Sequence, residues 1–349
     1  MKTAKQSKNQ PPHKAKQTPK PKSHHLKTLL KIAFVVLLLG FLVKKGFISV
    51  EATGRAFSHP EYIVPAILAF TVTALLGVIR WQWLLKAHNI HLPLKQTFQL
   101  TFIGNFFNIA LPGAVSGDFV KAFYVGHEVP GRRADAFGSI LFDRVVGVSA
   151  LVLVSAGALL LGYPSLWGTS LFSAIQFFVG VAALAVIAFY SYLFLMREKH
   201  DPLLLIFRKL EKRFDKFGSV TRIYEGLRHY HNRQGTVLKA LGISVTIHIL
   251  VAFGCWNIAQ SLEPVQFSLL SLYAVVPLGL LVTAIPIAPA GVGTGHAAFG
   301  WLFMLLGSKM GANVFSLFVL FQLCMGALGG AIYLRYRSHD HSDPFSRKT

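Results

Sequence analysis

Four ionisable side chains interrupt apolar stretches of the chain and are its strongest candidates for chemistry. Asp118 and Lys121 lie three residues apart, and Asp143 is followed directly by Arg144. Of the 14 acidic residues, Asp118 and Asp143 are the two that fall within apolar runs. Because charge is costly in apolar surroundings, such residues bind a charged ligand, carry a proton or form ion pairs.

Each of these charges needs a partner on another part of the chain. Adjacent residues of a helix point about 100° apart, so Asp143 and Arg144 cannot share one partner. We expect Arg80 to pair with Asp143, and Asp118 to pair with Arg144. A structural ion-pair network and a site for a lipid headgroup or a proton both fit this pattern.

Two clusters of proline and glycine break the apolar stretches, one between Asn105 and Asp118 and one between Ile285 and His296. Proline removes a backbone donor and glycine permits a sharp reversal. Unwound backbone is tolerated within a membrane only where protein or water satisfies it. We therefore favour a cavity at the breaks over simple tight packing of helices. The breaks contain Pro112, Gly113, Pro286, Pro289, Gly291 and Gly293.

Each break is followed by a residue that can cap a new helix, Ser116 or Asp118 in the first and Thr294 in the second. The N-terminus of a helix favours an anion such as phosphate. Paired interrupted segments in the two halves of a chain are typical of transporters. The breaks share little beyond proline and small residues, so an inverted repeat is supported weakly.

The elements that must position these residues are membrane spans. The chain has 349 residues, of which 53% are hydrophobic and 14% are charged, and a soluble domain would carry roughly 25% charged residues. We predict an all-α polytopic helical membrane protein with about eight spans and a broken, re-entrant segment at 97–125. The apolar runs are 29–46, 62–85, 137–162, 169–196, 237–261, 267–288, 291–306 and 313–335.

The charge distribution predicts the orientation of these spans. The net charge of +21 comes from lysine and arginine in a basic tail (1–28), a polar segment (199–233) and a C-terminal tail (336–349). By the positive-inside rule these parts lie on the cytoplasmic side of the cell membrane, so the charge does not indicate a nucleic-acid partner. The membrane domain is then 29–335.

Two smaller patterns concern the membrane surface. Segment 199–233 has the pattern of an amphipathic helix lying on the inner leaflet. Trp81 and Trp83, beside Arg80, predict an interfacial aromatic belt.

The order of these motifs resembles the lysylphosphatidylglycerol synthase transmembrane, or flippase-like, family over about 30–335. That resemblance implies a polytopic inner-membrane protein that moves a lipid between leaflets. In the best-known architecture a cytoplasmic aminoacyltransferase domain follows. Here 14 residues follow Arg335, so lipid aminoacylation is not expected. The motifs that carry the resemblance are Arg80-Trp81, Asn105, Leu111-Pro112-Gly113, Gly117-Asp118, Asp143-Arg144, Gly147, Pro286 and Pro289-Ala290-Gly291-Val292-Gly293.

Three positions depart from the pattern of the family. Ser116 stands where a second glycine is frequent, and Lys121 stands where arginine is common, which loses bidentate phosphate binding. His296 replaces a frequent glutamate and could make the site sensitive to pH.

Our main hypothesis is translocation of a phosphate-bearing lipid or a polyprenyl-phosphate-linked glycolipid. We expect Lys121 and Arg144 to supply charge, Asp143 to orient Arg144, and Arg80 to lie at the cytoplasmic mouth. Further substrate contacts are expected from Asn105, Asn108, Gly113, Asp118, Gly291, Gly293, Thr294 and His296.

Two alternatives remain open. One is a lipid-modifying enzyme with Asp118 or Asp143 as a base, and the other is a scaffold that recruits a glycosyltransferase through 199–233. The expected partners are a membrane phospholipid or glycolipid and a glycosyltransferase or lipid synthase. The sequence contains no motif that predicts a cofactor or a metal ion.

Overall fold

A computed structural model describes residues 44, 49–110, 116–129, 131–161, 170–197, 200–214, 217–264, 267–284 and 291–336. These residues form helices and loops without a β-strand. The helices are α1 (Val50–Phe57), α2 (Pro60–Ala87), α3 (Leu94–Ala110), α4 (Ser116–Glu128), α5 (Arg133–Leu160), α6 (Ser170–Leu195), α7 (Pro202–Arg213), α8 (Gly218–Arg228), α9 (Gln234–Leu262), α10 (Leu269–Ala284), α11 (Thr294–Met304) and α12 (Gly311–Arg335).

The lengths of these helices confirm an all-α membrane protein. Among the described residues, α2, α5, α6, α9 and α12 contain stretches long and apolar enough to cross a bilayer. Helix α10 is apolar but has 16 residues, and α11 has 11 residues, whereas a span needs about 20. In the first apolar run, 29–46, residue 44 alone is described, so the count of eight spans stays a prediction.

Eight of the helices in the described residues fall into two halves with the same order of elements. Each half has a long helix, two short helices and a second long helix: α2 to α5 in the first half, and α9 to α12 in the second. The contacts between halves are reciprocal, since α3 packs on α12 while α10 packs on α5. This arrangement is the one expected for a duplicated fold.

The pairing of α2 with α9 shows that the two halves are inverted. Arg80 donates a hydrogen bond to Ser244, and Phe70 packs on Gly254, so the two helices are antiparallel. The corresponding helices of the two halves therefore run in opposite directions, as in an inverted repeat. The structure therefore supports the inverted repeat that the sequence suggested.

Helices α3 and α4 form an antiparallel hairpin, as expected for a segment that enters and leaves on one side. Ser116 Oγ donates to the carbonyl oxygen of Phe107 at 3.1 Å, and the Gly117 N–H donates to Asn108 Oδ1 at 2.8 Å. The connecting residues 111–115, which include Pro112 and Gly113, lie outside the described residues. So do residues 285–290, with Pro286 and Pro289.

The polar segment 199–233 differs from the single amphipathic helix that its pattern predicts. It forms α7, α8 and a 3₁₀ turn at His229–Arg233. Helix α7 begins after Asp201, whose carboxylate accepts a hydrogen bond from the Leu204 N–H, and it ends before Phe214, where the chain adopts an extended conformation. The hydrophobic pattern runs on through the segment and does not show where α7 ends and α8 begins.

A buried ion pair joins α7 and α8 to the end of α6. Arg228 Nε lies 2.9 Å from Asp201 Oδ2, and both side chains are almost completely buried. Burial opposes ionisation of Asp201, but hydrogen bonds from Tyr192, the Leu204 N–H and Tyr224 hold its pKa below the ordinary value. Arg228 also donates to the carbonyl oxygen of Leu193. The two amphipathic helices are therefore fixed to the bundle.

The contact between α3 and α12 depends on a glycine. A Cβ atom at Gly329 would overlap the carbonyl oxygen of Phe102, so Gly329→Ala must separate the two helices. We expect this variant to destabilise the fold by about 1–3 kcal/mol, as overpacking does, and to lower the midpoint of thermal unfolding. Gly157→Ala in α5 is the control, because no atom lies within 4 Å of its Cβ position. Equal midpoints for the two variants would contradict the packing between halves.

Candidate functional site

A cavity of about 470 Å³ lies between the two halves. The first half contributes side chains from α2, α3, α4 and α5, and the second contributes side chains from α9, α10 and α12. Eight of the twelve predicted site residues line it: Arg80, Asn105, Asn108, Asp118, Lys121, Asp143, Arg144 and Gly291.

Arg80 forms the central ion pair of this cavity. Its Nε donates to Asp143 Oδ1 at 2.7 Å, and its Nη2 donates to Asp143 Oδ2 at 2.9 Å. Its Nη1 donates to Ser244 Oγ at 2.8 Å. One guanidinium thus ties α2 to α5 in its own half and to α9 in the other half. The pairing of Arg80 with Asp143 is as expected.

A second ion pair joins α4 to α5. Arg144 Nε donates to Asp118 Oδ2 at 2.7 Å, with 47% of the Arg144 side chain and 13% of the Asp118 side chain exposed. This pairing also agrees with the sequence prediction. The idea that Asp143 orients Arg144 is wrong, because both oxygens of Asp143 accept from Arg80. The carboxylate that orients Arg144 is that of Asp118.

Lys121 has a different environment from the two arginines. It is buried, with 7% of its surface exposed, and its Nζ lies 3.9 Å from the centre of the Trp81 ring. The described residues place no carboxylate in salt-bridge contact with it. Gly104 makes room for the lysine stem, since a Cβ there would lie 2.6 Å from Lys121 Cδ. The Lys121 amine therefore lies against an aromatic face rather than in a salt bridge with a described carboxylate.

Trp81 is a functional candidate that sequence analysis missed. It was assigned to an interfacial belt, but it is completely buried and lies under Lys121. A tryptophan near the end of a span has the same sequence pattern in both locations. His248 also lines the cavity, and Ser244 accepts a hydrogen bond from Arg80 beside it. In the sequence each is a lone polar residue in an apolar run, a pattern that does not predict a position at a cavity.

The first break brings amide side chains to the cavity. Asn108 Oδ1 accepts from the Gly117 N–H and so holds the start of α4. Asn105 lies one turn earlier on α3 and lines the cavity. Gly113 lies outside the described residues, so its predicted role is untested.

The second break reaches the cavity through Gly291. Gly291 and Gly293 have positive φ values of 67° and 88°, a conformation that favours glycine. Gly293 is the N-cap and Thr294 is the first residue of α11, so the assignment of Thr294 as the cap is wrong. The hydroxyl of Thr294 donates to the Gly291 carbonyl at 3.2 Å.

His296 stabilises the start of α11. Its Nδ1 accepts from the Gly293 N–H at 3.2 Å, and its Nε2 lies 3.2 Å from Ser316 Oγ. Because Nδ1 accepts a hydrogen bond, the proton of the neutral ring lies on Nε2. Gly293, Thr294 and His296 are not among the described residues that line the cavity. The predicted contact of these three residues with substrate stays a prediction.

This arrangement lies within a known protein family. The family model of the lysylphosphatidylglycerol synthase TM region matches residues 28–332, which include the described lining of the cavity and both halves except the last three residues of α12. The chain belongs to this family. The match confirms the resemblance seen in the motifs and establishes a multi-pass membrane protein.

Three curated proteins illustrate the similarity. A UPF0104 membrane protein of Methanothermobacter thermautotrophicus is 26% identical over 306 residues, covering 80% of this chain and 83% of the relative. One from Methanocaldococcus jannaschii is 22% identical over 76% of this chain and 80% of the relative. One from Pyrococcus horikoshii is 30% identical over 131 residues, which are 36% of this chain and 38% of the relative. No solved structure matches the chain.

The two ion pairs should differ in their contribution to stability. Both side chains of the Arg80–Asp143 pair are about six-sevenths buried, so Asp143→Leu leaves a buried guanidinium without its carboxylate and should cost about 3–5 kcal/mol. Arg80→Met with Asp143→Leu should recover part of that loss. Arg144→Gln should cost less than Asp143→Leu, because the Arg144 side chain is half exposed and a glutamine amide can still donate a hydrogen bond to Asp118. Thermal unfolding of the purified variants measures all three, and additive effects of the two central substitutions would contradict direct pairing.

Proposed function

We propose that this protein translocates a phosphate-bearing lipid, or a polyprenyl-phosphate-linked glycolipid, across the cell membrane. The observation that carries this proposal is the buried ammonium of Lys121, which faces the cavity without a carboxylate in salt-bridge contact among the described residues. A buried, unpaired charge costs several kcal/mol, and an anionic ligand would offset that cost.

The charge of the cavity supports an anion. Its lining has three cations, Arg80, Lys121 and Arg144, and two carboxylates, Asp118 and Asp143. The two carboxylates are paired with the two arginines, so one positive charge remains for a ligand. The Trp81 ring stabilises it only in part, since a cation–π contact contributes about 0.5–2 kcal/mol.

The size of the cavity supports a headgroup rather than a whole lipid. A volume of about 470 Å³ is that of a small-molecule pocket. It can hold a headgroup but not a headgroup together with two acyl chains. The half-exposed Arg144 lies where a headgroup could enter while its chains remain in the bilayer. Movement of one inverted half against the other would then change the side from which the cavity opens.

The state of the carboxylates favours transport over lipid modification. Asp143 accepts two hydrogen bonds from Arg80, and Asp118 accepts one from Arg144. Carboxylate oxygens that already accept hydrogen bonds from a guanidinium group are less available to take a proton from a substrate. We therefore infer that the lipid passes through unchanged. The positive-inside rule places α7 and α8 on the cytoplasmic side of the membrane in this proposal.

Lys121→Met tests the proposal through two opposite effects. Removal of the charge should slow lipid translocation by about tenfold or more, the effect of losing a charge-assisted hydrogen bond. It should leave thermal stability unchanged or raised, because an unpaired buried charge is removed. Translocation is measured in proteoliposomes as the accessibility of a fluorescent phospholipid to a membrane-impermeant quencher.

Lys239→Met is the matched control, since Lys239 is an exposed lysine on α9. The proposal predicts a normal rate for the control. A normal translocation rate in Lys121→Met would remove the assigned role of the ammonium, and with it the main support for transport.

A further inference from the structure

A second groove, of about 370 Å³, lies outside the central cavity, between α4, the first turns of α5, and α8. Its lining combines two arginines with three phenylalanines and small or aliphatic side chains. These residues are Phe119, Ala122, Phe123, Arg133, Ala134, Phe137, Ser219, Arg222 and Ile223.

The arginines of this groove are available to a ligand. Arg133 and Arg222 are exposed, and neither forms a salt bridge with a described carboxylate. The acids nearest in sequence are already engaged, since Asp135 pairs with Arg132 at 3.1 Å and Glu225 pairs with Arg208 at 2.8 Å. The rim of the groove is therefore positive, and its guanidinium groups fit phosphate oxygens.

The aromatic side chains make the rest of the groove apolar. Phe119 is 59% exposed and Phe123 is 37% exposed, and the Phe119 and Phe137 rings lie 5.9 Å apart. A free phosphate ion would gain nothing from this surface. A lipid would gain from both parts, with its phosphate at the arginines and the start of its acyl chains on the rings.

One face of α5 carries residues that line the groove and residues that line the central cavity. Phe137, Leu141, Arg144 and Val148 follow each other at spacings of four, three and four residues, which places them in one stripe. Leu141 is 39% exposed and Val148 is 40% exposed, so the stripe faces outwards. Arg133 and Arg144 are separated by about 16 Å along the helix, from a rise of 1.5 Å per residue.

We infer that this groove binds an anionic phospholipid of the adjacent leaflet and holds it before its headgroup moves along α5 to Arg144. Arg133 and Arg222 bind the phosphate, and Phe119, Phe123 and Phe137 contact the chains. The staging role rests on the proposed translocation, whereas lipid binding in the groove stands without it.

The experiment measures translocation in phosphatidylcholine vesicles that contain increasing fractions of phosphatidylglycerol. Arg133→Gln with Arg222→Gln should raise the phosphatidylglycerol fraction for half-maximal rate by about tenfold, since each interfacial cation attracts anionic lipid. The maximal rate should stay within twofold of the wild-type rate. Lys212→Gln with Arg213→Gln removes the same charge from exposed positions of α7, and its half-maximal fraction should match that of the wild type.

A second measurement keeps the groove testable if no lipid is moved. Native mass spectrometry of the full chain, released from phosphatidylcholine discs containing phosphatidylglycerol, should show fewer retained phosphatidylglycerol molecules for the groove variant than for the control. If the wild-type chain retained phosphatidylglycerol but moved no lipid, the proposed function would be overturned and lipid binding in the groove would still stand. Equal retention in the groove and control variants would overturn the groove. If inorganic phosphate displaced the retained phosphatidylglycerol as effectively as added phosphatidylglycerol does, lipid binding in the groove would also be overturned.

Discussion

The burial of charge between two apolar halves is the constraint on which the rest of this structure depends. A guanidinium can remain inside a helical bundle only if its donors find partners, and Arg80 finds Asp143 in its own half and Ser244 in the other. That geometry fixes the relative depth of three long helices. The cavity is the space that remains around these fixed charges.

The inverted arrangement explains why the polar residues converge. Two copies of a long helix, a pair of short helices and another long helix pack so that each contributes one broken segment to the centre. Glycines at the crossings, such as Gly117 and Gly329, allow backbone to touch backbone. Short half-helices then replace full spans where a polar group has to be accommodated.

The sequence predicted the parts of this fold that depend on strong local rules. The cost of membrane charge pointed to Asp118, Asp143 and Arg144 and also to their partners, and long apolar runs predicted the main spans. Properties that depend on tertiary contacts were less accessible. A buried Trp81 has the same sequence pattern as an interfacial one, and the reversal between α7 and α8 lies within an unbroken amphipathic pattern. The assignment of Asp143 as the support of Arg144 was wrong because sequence proximity does not imply contact on a helix.

The two halves have the same order of helices but contribute different side chains to the cavity. Among the described residues, the acidic and basic side chains of the cavity come from α2, α4 and α5. The second half contributes His248, Thr283, Gln322, a glycine and apolar side chains. If the protein moves lipid as proposed, a lipid entering from one leaflet would meet these groups in a different order from one entering from the opposite leaflet. A passive carrier of this kind would saturate at different lipid fractions from its two sides. Detailed balance would still fix the ratio of maximal rate to half-saturating fraction in the two directions, so the asymmetry would alter kinetics without setting a net direction.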